Sequence, residues 1–245
     1  MHVLLFLFLL PSAALSSGLP TVAAGDSAFV ELRYDEARRL YQQGLAVVPQ
    51  DPAVLWRMSR LSSVQAGLLS GDAKLTLYLE AERQARACIA ADSTVAEGYT
   101  WLAVSLGNLA MFEGSKAKVR LCGEIKHALD RALLLKPDDD IAYTILGSFY
   151  RALGNVSWIE RQLASVFLGS LPDGGYPEAE VALKKAIALS PGTLRHQKEL
   201  GMLYVDWGKE EEARAVLQGC LVLPITLASD PADRERVRAT LRELE

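Results

Sequence analysis

Residues 143–150 read YTILGSFY, and residues 197–204 read QKELGMLY. In both stretches a Leu-Gly pair precedes a Tyr at the same interval, and residues 99–106, YTWLAVSL, are a looser copy. Apolar residues at such intervals fall on one face of a helix. Because the pattern returns along the chain, it indicates a structural repeat built from helices.

A second signature accompanies these stretches. It has an apolar residue, usually Ala, then a large residue, then a small residue and a Pro. The copies are Ala37, Tyr41, Gly44 and Pro49; Ile125, Leu129, Ala132 and Pro137; Ala179, Leu183, Ala186 and Pro191; and Ala213, Leu217 and Cys220 near Pro224. Together the two signatures are the tetratricopeptide pattern of two antiparallel helices in about 34 residues. Small residues let the helices approach, large ones fill the gaps, and Pro ends the second helix because it has no N–H to donate.

The repeats are longer than the plain pattern. Their ends fall at Pro49, Ser93, Pro137, Pro191 and Ile225. These positions are 44, 44, 54 and 34 residues apart, which leaves about 10, 10 and 20 residues beyond the basic 34 in three repeats. The surplus segments are expected between the two helices of each repeat: AGLLSGDAKLTL (66–77), MFEGSKAKVR (111–120) and SWIERQLASVF (157–167). In the last, we predict a short added helix with Trp158 and Phe167 packed inward.

The predicted fold is therefore all-α. It is a tetratricopeptide-like antiparallel helix-pair solenoid over residues 25–245, with extra segments inserted between the helices of three repeats and a C-terminal capping helix. The predicted repeats cover about 26–50, 51–93, 94–137, 138–191 and 192–225. The cap is expected over 230–245, with Asp230 as its N-cap and Pro231 as its first helical residue. Its outer face is rich in Arg and Glu, as the end of a stacked array requires.

Residues 1–24 resemble a secretory signal peptide. Residues 3–10 are all apolar, and no Asp, Glu, Lys or Arg precedes Asp26. Small residues offer cleavage sites at Ala14-Leu15-Ser16 or Val22-Ala23-Ala24. An uncleaved membrane anchor is the alternative, although the run is short beside the roughly 20 residues of a spanning helix. We therefore expect a secreted or periplasmic location, with N-terminal anchoring left open and no transmembrane segment after the leader.

The chain offers little that could carry catalysis. No HExxH motif, phosphate-binding loop, paired cysteine spacing or nucleophile elbow occurs, and His127 and His196 are isolated from any second metal ligand at helical spacing. Cys88, Cys122 and Cys220 are an odd set among apolar helical positions, so we predict buried thiols, with a Cys88–Cys122 bridge as the alternative. We expect a protein that is not an enzyme, with no metal and no cofactor. With 26 basic and 30 acidic residues, the net charge of −4 also argues against nucleic-acid binding.

Three stretches carry a more specific resemblance. They are LWRMSR (55–60), NLAMFEGSKAKVRLCGEIKHALDRALLLKP (108–137) and NVSWIERQLASVF (155–167). These stretches resemble the regulator of microtubule dynamics protein family, over roughly residues 30–225. The resemblance implies a helical-repeat interaction domain without catalysis. It also implies links to microtubules in some members, and to mitochondria and lipid handling at membrane contacts in others.

Binding is thus the expected class of function. In a stacked array the first helices of the pairs line a concave face. The residues predicted to point toward it mix apolar, polar and cationic groups: Trp56, Arg60, Thr100, Val104, Thr144, Ser148, Arg151, Lys198 and Met202. A second candidate surface lies on the surplus segments: Lys116, Lys118, Arg120, Trp158 and Arg161. The plainer interpretation makes Trp56 ordinary core and the others solvated surface.

Two functions fit this pattern. The first is a non-catalytic scaffold that binds a protein or peptide partner through its concave face, or that self-associates through the array. The alternative is a carrier of a hydrophobic or lipid-like ligand beneath the surplus segments. A carrier needs a continuous apolar cavity of roughly several hundred cubic ångströms, whereas a peptide scaffold needs an open groove with polar groups.

Overall fold

The computed structural model describes residues 20–157 and 171–245, and all regular secondary structure in these residues is helical. Eleven helices follow one another in this part of the chain: α1 Pro20–Val30, α2 Tyr34–Val47, α3 Pro52–Ala66, α4 Gly71–Ala91, α5 Ala96–Glu113, α6 Ser115–Leu135, α7 Asp140–Gly154, α8 Tyr176–Leu189, α9 Leu194–Asp206, α10 Glu210–Cys220 and α11 Asp230–Glu243. The first ten form five consecutive pairs, and α11 follows the last pair. The predicted all-α helix-pair solenoid is confirmed.

Neighbouring pairs stack through both helices. The first helices pack in series, α3 on α5, α5 on α7 and α7 on α9, and each second helix packs on the first helix of the next pair. The core consequently runs along the array as a series of clusters. The large residues of the second signature lie at the centre of these clusters. Tyr41, Leu129, Leu183 and Leu217 are each 0% exposed. Burying such a side chain contributes about 1.5–3 kcal/mol. Tyr41, Leu183 and Leu217 lie against glycines of the other helix in their own pair, so they hold the two helices of a pair together.

The surplus residues of the second and third pairs lie where the spacing predicts, at the junction of the two helices. They take the form of additional helical turns. The second helices α4 and α6 both have 21 residues, and α5 has 18. The junction between α5 and α6 is Gly114 alone, and residues 67–70 join α3 to α4. The third surplus falls largely on residues 158–170, so the predicted packing of Trp158 and Phe167 lies outside the described residues.

The first helix begins at Pro20, ahead of the Asp26 at which the first predicted repeat starts. Val22 is 1% exposed and belongs to the N-terminal core cluster together with Tyr41. Residues 20–24, counted in the sequence with the leader, are therefore part of the packed domain. A leader cleaved at Ala14-Leu15-Ser16 would leave α1 whole, whereas cleavage at Val22-Ala23-Ala24 would remove its first turn.

The helix starts follow local capping chemistry. The Asp51 carboxylate accepts a hydrogen bond from the Ala53 N–H at 2.9 Å, with Pro52 in the first helical turn. The Asp139 carboxylate accepts from the Ala142 N–H at 2.9 Å and caps the start of α7. At α11 the prediction is wrong by one residue: Ser229 is the N-cap, and Asp230 is the first helical residue.

The Asp230 carboxylate accepts hydrogen bonds from the loop before α11, whereas it was predicted to cap the helix. Its Oδ2 accepts hydrogen bonds from the backbone N–H groups of Thr226 and Leu227, at 2.7 and 2.8 Å. The carboxylate thus shapes the loop of residues 221–229 that precedes α11, because it points back along the chain instead of into the helix. None of the helices described here is long and apolar enough to span a bilayer.

Candidate binding groove

The first helices of the pairs and the 221–229 loop enclose a groove of about 290 Å³. We call it the central groove. Aromatic, aliphatic and charged side chains line it: Phe29, Trp56, Arg60, Val64, Glu97, Thr100, Trp101, Lys136, Asp139, Asp140, Ile141, Thr193, Arg195 and Leu227. Residues from α1, α3, α5, α7 and α9 therefore meet at one place, although they are far apart in the sequence.

The N-terminal wall of the central groove is built around Arg60. Its guanidinium carbon lies 3.8 Å from the ring centroid of Phe29 and 5.2 Å from that of Trp56. One of its terminal nitrogens donates to Asp26 and to the Tyr41 hydroxyl, both at 3.1 Å. Burial and the hydrogen bond to Asp26 raise the pKa of Tyr41, so this hydroxyl stays protonated. Arg60 thus stacks on two aromatic rings and shares the Asp26 carboxylate with Arg57, whose Nε lies 2.9 Å from it.

Most other charges in the central groove are also paired. Lys136 donates to Glu97 at 3.0 Å, and Asp139 accepts from the Thr100 hydroxyl at 2.7 Å. Arg195 is the exception among the described residues that line the groove: its guanidinium has neither a hydrogen bond nor an ion pair within the described chain. It follows Leu194 in the first turn of α9, where the positive end of the helix dipole adds to its charge. The groove therefore contains a guanidinium without a direct partner beside aromatic surface, while the Asp139 and Asp140 carboxylates line the same groove.

Asp140 is held by a buried polar chain behind the groove. The Thr144 hydroxyl lies 2.6 Å from His196 Nδ1, and His196 Nε2 lies 2.9 Å from Asp140 Oδ2. Burial acts to raise the pKa of Asp140, but the hydrogen bond and charge of His196 outweigh it and lower the pKa. This order of groups is that of a nucleophile, a base and an acid. Thr144 and His196 are 0% exposed, so a substrate cannot reach these two side chains. Their hydrogen bonds instead connect α7 to α9.

The nine residues predicted for the concave face divide into three groups. Trp56, Arg60 and Thr100 line the central groove. Val104 and Thr144 are buried in the stack. The other four residues make contacts between helices. Ser148 donates to Glu199, and Arg151 pairs with Asp206 at 2.6 Å and with Glu199. Lys198 pairs with Asp233 at 3.1 Å, and the Met202 sulfur lies 3.8 Å from the Thr240 hydroxyl. Asp233 and Thr240 belong to α11, so the cap covers the last two predicted positions.

Eleven of the fourteen residues that line the groove were absent from the prediction, among them Phe29, Trp101, Arg195 and Leu227. Trp101 lies inside the repeat stretch YTWLAVSL, and Arg195 precedes Lys198 by one helical turn. A register one turn earlier in α9 would have selected Arg195. No sequence pattern near Leu227 predicts that it lines the groove, because its position depends on how the C-terminal loop returns to the other end of the array.

That return closes the array. The Ala228 N–H donates to the Tyr34 hydroxyl at 3.1 Å, across 194 positions of sequence. Leu227 and Ala228 also pack against the N-terminal core cluster. Burial is the main cause that raises the pKa of Tyr34, which keeps its hydroxyl protonated. The 221–229 loop consequently forms one rim of the central groove.

Three of the five candidates on the surplus segments, Lys116, Lys118 and Arg120, lie near the start of α6. Lys116 and Lys118 are exposed, whereas Arg120 pairs with Glu113 at 2.7 Å. Trp158 and Arg161 lie outside the described residues. Lys116, Lys118 and Arg120 do not line the central groove.

The cysteines and acidic side chains of the described residues form neither a disulfide nor a metal site. Cys88, Cys122 and Cys220 are free thiols, so the alternative Cys88–Cys122 bridge is not formed. Burial raises the pKa of Cys88 to about 12 and that of Cys220 to about 11, which leaves both thiols protonated near neutral pH and poor as nucleophiles. Within residues 20–157 and 171–245, no group of three His, Cys, Asp or Glu side chains could hold a metal ion.

A family sequence model and several individual relatives indicate the same protein family. The sequence model of the family described as "Regulator of microtubule dynamics protein 1-3" matches residues 22–245. Regulator of microtubule dynamics protein 2 of Rattus norvegicus is 29% identical over 148 residues, which are 60% of this chain and 36% of that protein. Protein 3 of Bos taurus is 27% identical over 198 residues, 77% of this chain and 41% of that protein. Protein 1 of Caenorhabditis elegans is 25% identical, over 72% of this chain and 78% of its own length. The chain thus spans only about two fifths of the first two relatives.

Solved structures support the fold. A thermophilic TPR protein of Thermus thermophilus superposes with a TM-score of 0.62, at 23% identity, over 91% of this chain and 97% of that one. The type IV pilus biogenesis factor PilW gives a TM-score of 0.53, at 15% identity, over 94% and 93% of the two chains. At these identities the similarity describes the tetratricopeptide architecture alone.

Proposed function

The chain belongs to the regulator of microtubule dynamics protein 1-3 family, and on this premise we propose that it is a non-catalytic scaffold whose central groove binds a segment of a protein partner. The tetratricopeptide fold is a helical platform of the kind that presents concave binding surfaces. The partner segment carries a carboxylate next to an apolar side chain. The carboxylate pairs with Arg195, and the apolar group contacts Trp56 and Trp101.

One observation carries this proposal: the guanidinium of Arg195 has no partner in the described chain, yet it lines a groove with two tryptophans. A guanidinium donates two parallel hydrogen bonds to a carboxylate, which fixes the ligand's orientation as well as its charge. Buried aromatic and arginine side chains are also the residues that dominate binding energies at protein interfaces. The central groove combines both within about 290 Å³.

The test is capture of partners by the full chain, followed by affinity measurement with the partner segment. Because the relatives are named for microtubule dynamics, tubulin is the first partner to examine. We expect Arg195→Glu and Trp56→Ala each to weaken binding by roughly tenfold or more. Arg39→Glu is the matched control, because Arg39 is exposed on α2 and does not line the groove. Unchanged affinity in both groove variants would refute the proposed site.

A second function, a carrier of a hydrophobic ligand, is favoured by a different observation. An apolar groove of about 340 Å³ lies between α7 and α8, the two helices that the largest surplus segment connects. Tyr143, Leu146, Tyr150 and Val181 contribute to its lining, and Val181 is 72% exposed. Native mass spectrometry of the chain after mild extraction decides between the two functions. A bound lipid supports the carrier, whereas a ligand-free mass together with a captured protein partner excludes it.

A further inference from the structure

Exposed apolar side chains gather at one edge of the array, where α3 and α5 end. Leu68 and Leu69 lie in the turn after α3 and are 47% and 43% exposed. Met111 and Phe112 lie in the last turn of α5 and are 67% and 40% exposed. We call these four side chains the edge patch. Single exposed apolar residues are normal on a surface, but a cluster at neighbouring turns marks a site of interaction.

The edge patch stands on a rigid base. Directly beneath it, Ala66, Tyr78 and Leu109 form a buried cluster that joins the end of α3, the start of α4 and the end of α5. The Phe112 ring meets the Tyr78 ring edge-on, with 6.4 Å between centroids. These contacts hold the two turns next to each other, so their apolar tips protrude as one surface.

Positive charge surrounds this surface. The Lys74 ammonium lies 5.8 Å from the Tyr78 ring centroid, and Lys116 and Lys118 are exposed on the first turns of α6 without an ion pair in the described chain. Residues 68–78 and 111–120 together hold four cations, Lys74, Lys116, Lys118 and Arg120, against two carboxylates, Asp72 and Glu113. The edge is therefore locally positive on a chain whose net charge is −4.

We propose that the edge patch docks the array onto a lipid bilayer that carries anionic headgroups. The four apolar side chains enter the boundary between headgroups and acyl chains, and the lysines contact the phosphates or carboxylates above it. Long lysine side chains suit this position, because their stems lie along apolar surface while the ammonium stays in the polar layer.

The shape of the edge patch favours a membrane over a peptide as its occupant. A peptide site is concave, and the two grooves described above contain none of the four residues. The edge patch instead consists of a turn and a helix end, whose tips can enter a soft, flat surface. The proposal is independent of the central groove, which lies elsewhere and can bind its partner while the edge is docked.

Flotation with lipid vesicles tests the proposal on the full chain. The vesicles are made of phosphatidylcholine alone or of phosphatidylcholine with phosphatidylserine. The test variants are Leu69→Asp with Phe112→Asp, and Lys116→Glu with Lys118→Glu. The matched control is Val47→Asp with Leu134→Asp, because both residues are 68–70% exposed and lie near the ends of second helices, at the opposite edge.

The wild-type chain and the control variant should bind the phosphatidylserine vesicles more strongly than the neutral ones, and salt should weaken that binding. Each test variant should lose roughly tenfold or more in vesicle partitioning. All chains share the apolar residues 3–10, so binding through that stretch alone would be the same in every variant. Equal flotation of test and control variants, or no flotation of the wild type, would overturn the proposal. Circular dichroism checks that each variant remains folded.

Discussion

Gly147 and Leu183 show how the two helices of a pair come close together. A Cβ on Gly147 would lie 2.4 Å from Leu183 Cγ, and the same relation joins Gly201 to Leu217. The Leu-Gly step of the repeat and the large residue of the second signature are therefore two halves of one contact. Both the Leu-Gly step and the large residue could be predicted from the sequence, because each recurs at a fixed spacing. The contact itself is what gives that spacing its physical meaning.

We predict that Gly147→Ala destabilises the fold by about 1–3 kcal/mol, because the methyl group overpacks a buried contact. Chemical denaturation measures this change. Gly123→Ala is the matched control: Gly123 also lies in a helix, but a Cβ there has no neighbour within 4 Å. That control should be neutral or stabilised by up to about 1 kcal/mol, as helix propensity requires. Leu183→Ala combined with Gly147→Ala should cost less than the sum of the two single changes, since the clash is then absent. Strict additivity would contradict the contact.

Glu180 provides a prediction about pH. Its carboxylate accepts from the Tyr204 hydroxyl and pairs with Lys184, both at 2.7 Å. The hydrogen bond from Lys184, followed by that from Tyr204, lowers the pKa of Glu180 to about 2. A carboxyl whose pKa is lower in the folded chain stabilises it above the unfolded pKa, roughly 4.3, and loses that contribution as the pH falls toward 2.

Glu180→Gln should therefore lower the free energy of unfolding by about 1 kcal/mol at pH 7, a value reduced for partial exposure to solvent. The difference from wild type should shrink between about pH 4.3 and pH 2. Thermal unfolding across this range measures it. Glu211→Gln is the control, because Glu211 is 87% exposed and should change little at any pH. A stability gap that stays constant down to pH 2 would show that the carboxylate's charge contributes nothing.

The surplus residues explain where this array departs from a plain repeat. The spacing of repeat ends located the surplus in the sequence, but it did not distinguish an inserted segment from a longer helix. The difference depends on the stacking of neighbours, because helical turns beyond the usual length are stable only where an adjacent helix covers them. In α4 and α6 that cover comes from a buried cluster at the edge, in which Tyr78 and Leu109 meet Leu121. Such cover involves three helices and leaves no local pattern.

The long helices α5 and α6 are joined by Gly114 alone, whose φ of +93° lies in the region that side chains disfavour. Gly114→Ala should therefore cost about 1–2 kcal/mol, although no neighbour would contact the added methyl group. Gly107→Ala, in the helical part of α5 and equally free of neighbours, is the matched control. Denaturation curves should separate the two variants. Equal stability of both would show that the turn relaxes without strain.

The central groove depends on an array whose C-terminal loop returns to its first helix pair. Trp56, Arg60 and Thr100 were predictable, because the repeat register directs first-helix residues inward. Leu227 and the loop that carries it were not, since a contact across 194 positions has no period in the sequence. The same return of the chain places α11 over Lys198 and Met202, which removes these two predicted residues from the open surface.

Closure gives the last prediction. In an open solenoid the two ends unfold independently, because each repeat contacts only its neighbours. Here the Tyr34 hydroxyl accepts from the Ala228 N–H, so the first pair and the C-terminal loop should open together. Tyr34→Phe removes this bond and leaves the N–H unpaired, which should cost about 1 kcal/mol. Amide exchange should then accelerate in residues 20–47 and 221–230 alike, while the central helices keep their protection. Tyr99→Phe, which keeps the Tyr34–Ala228 bond, should leave both ends unchanged. Faster exchange at one end alone would mean that the two ends open independently.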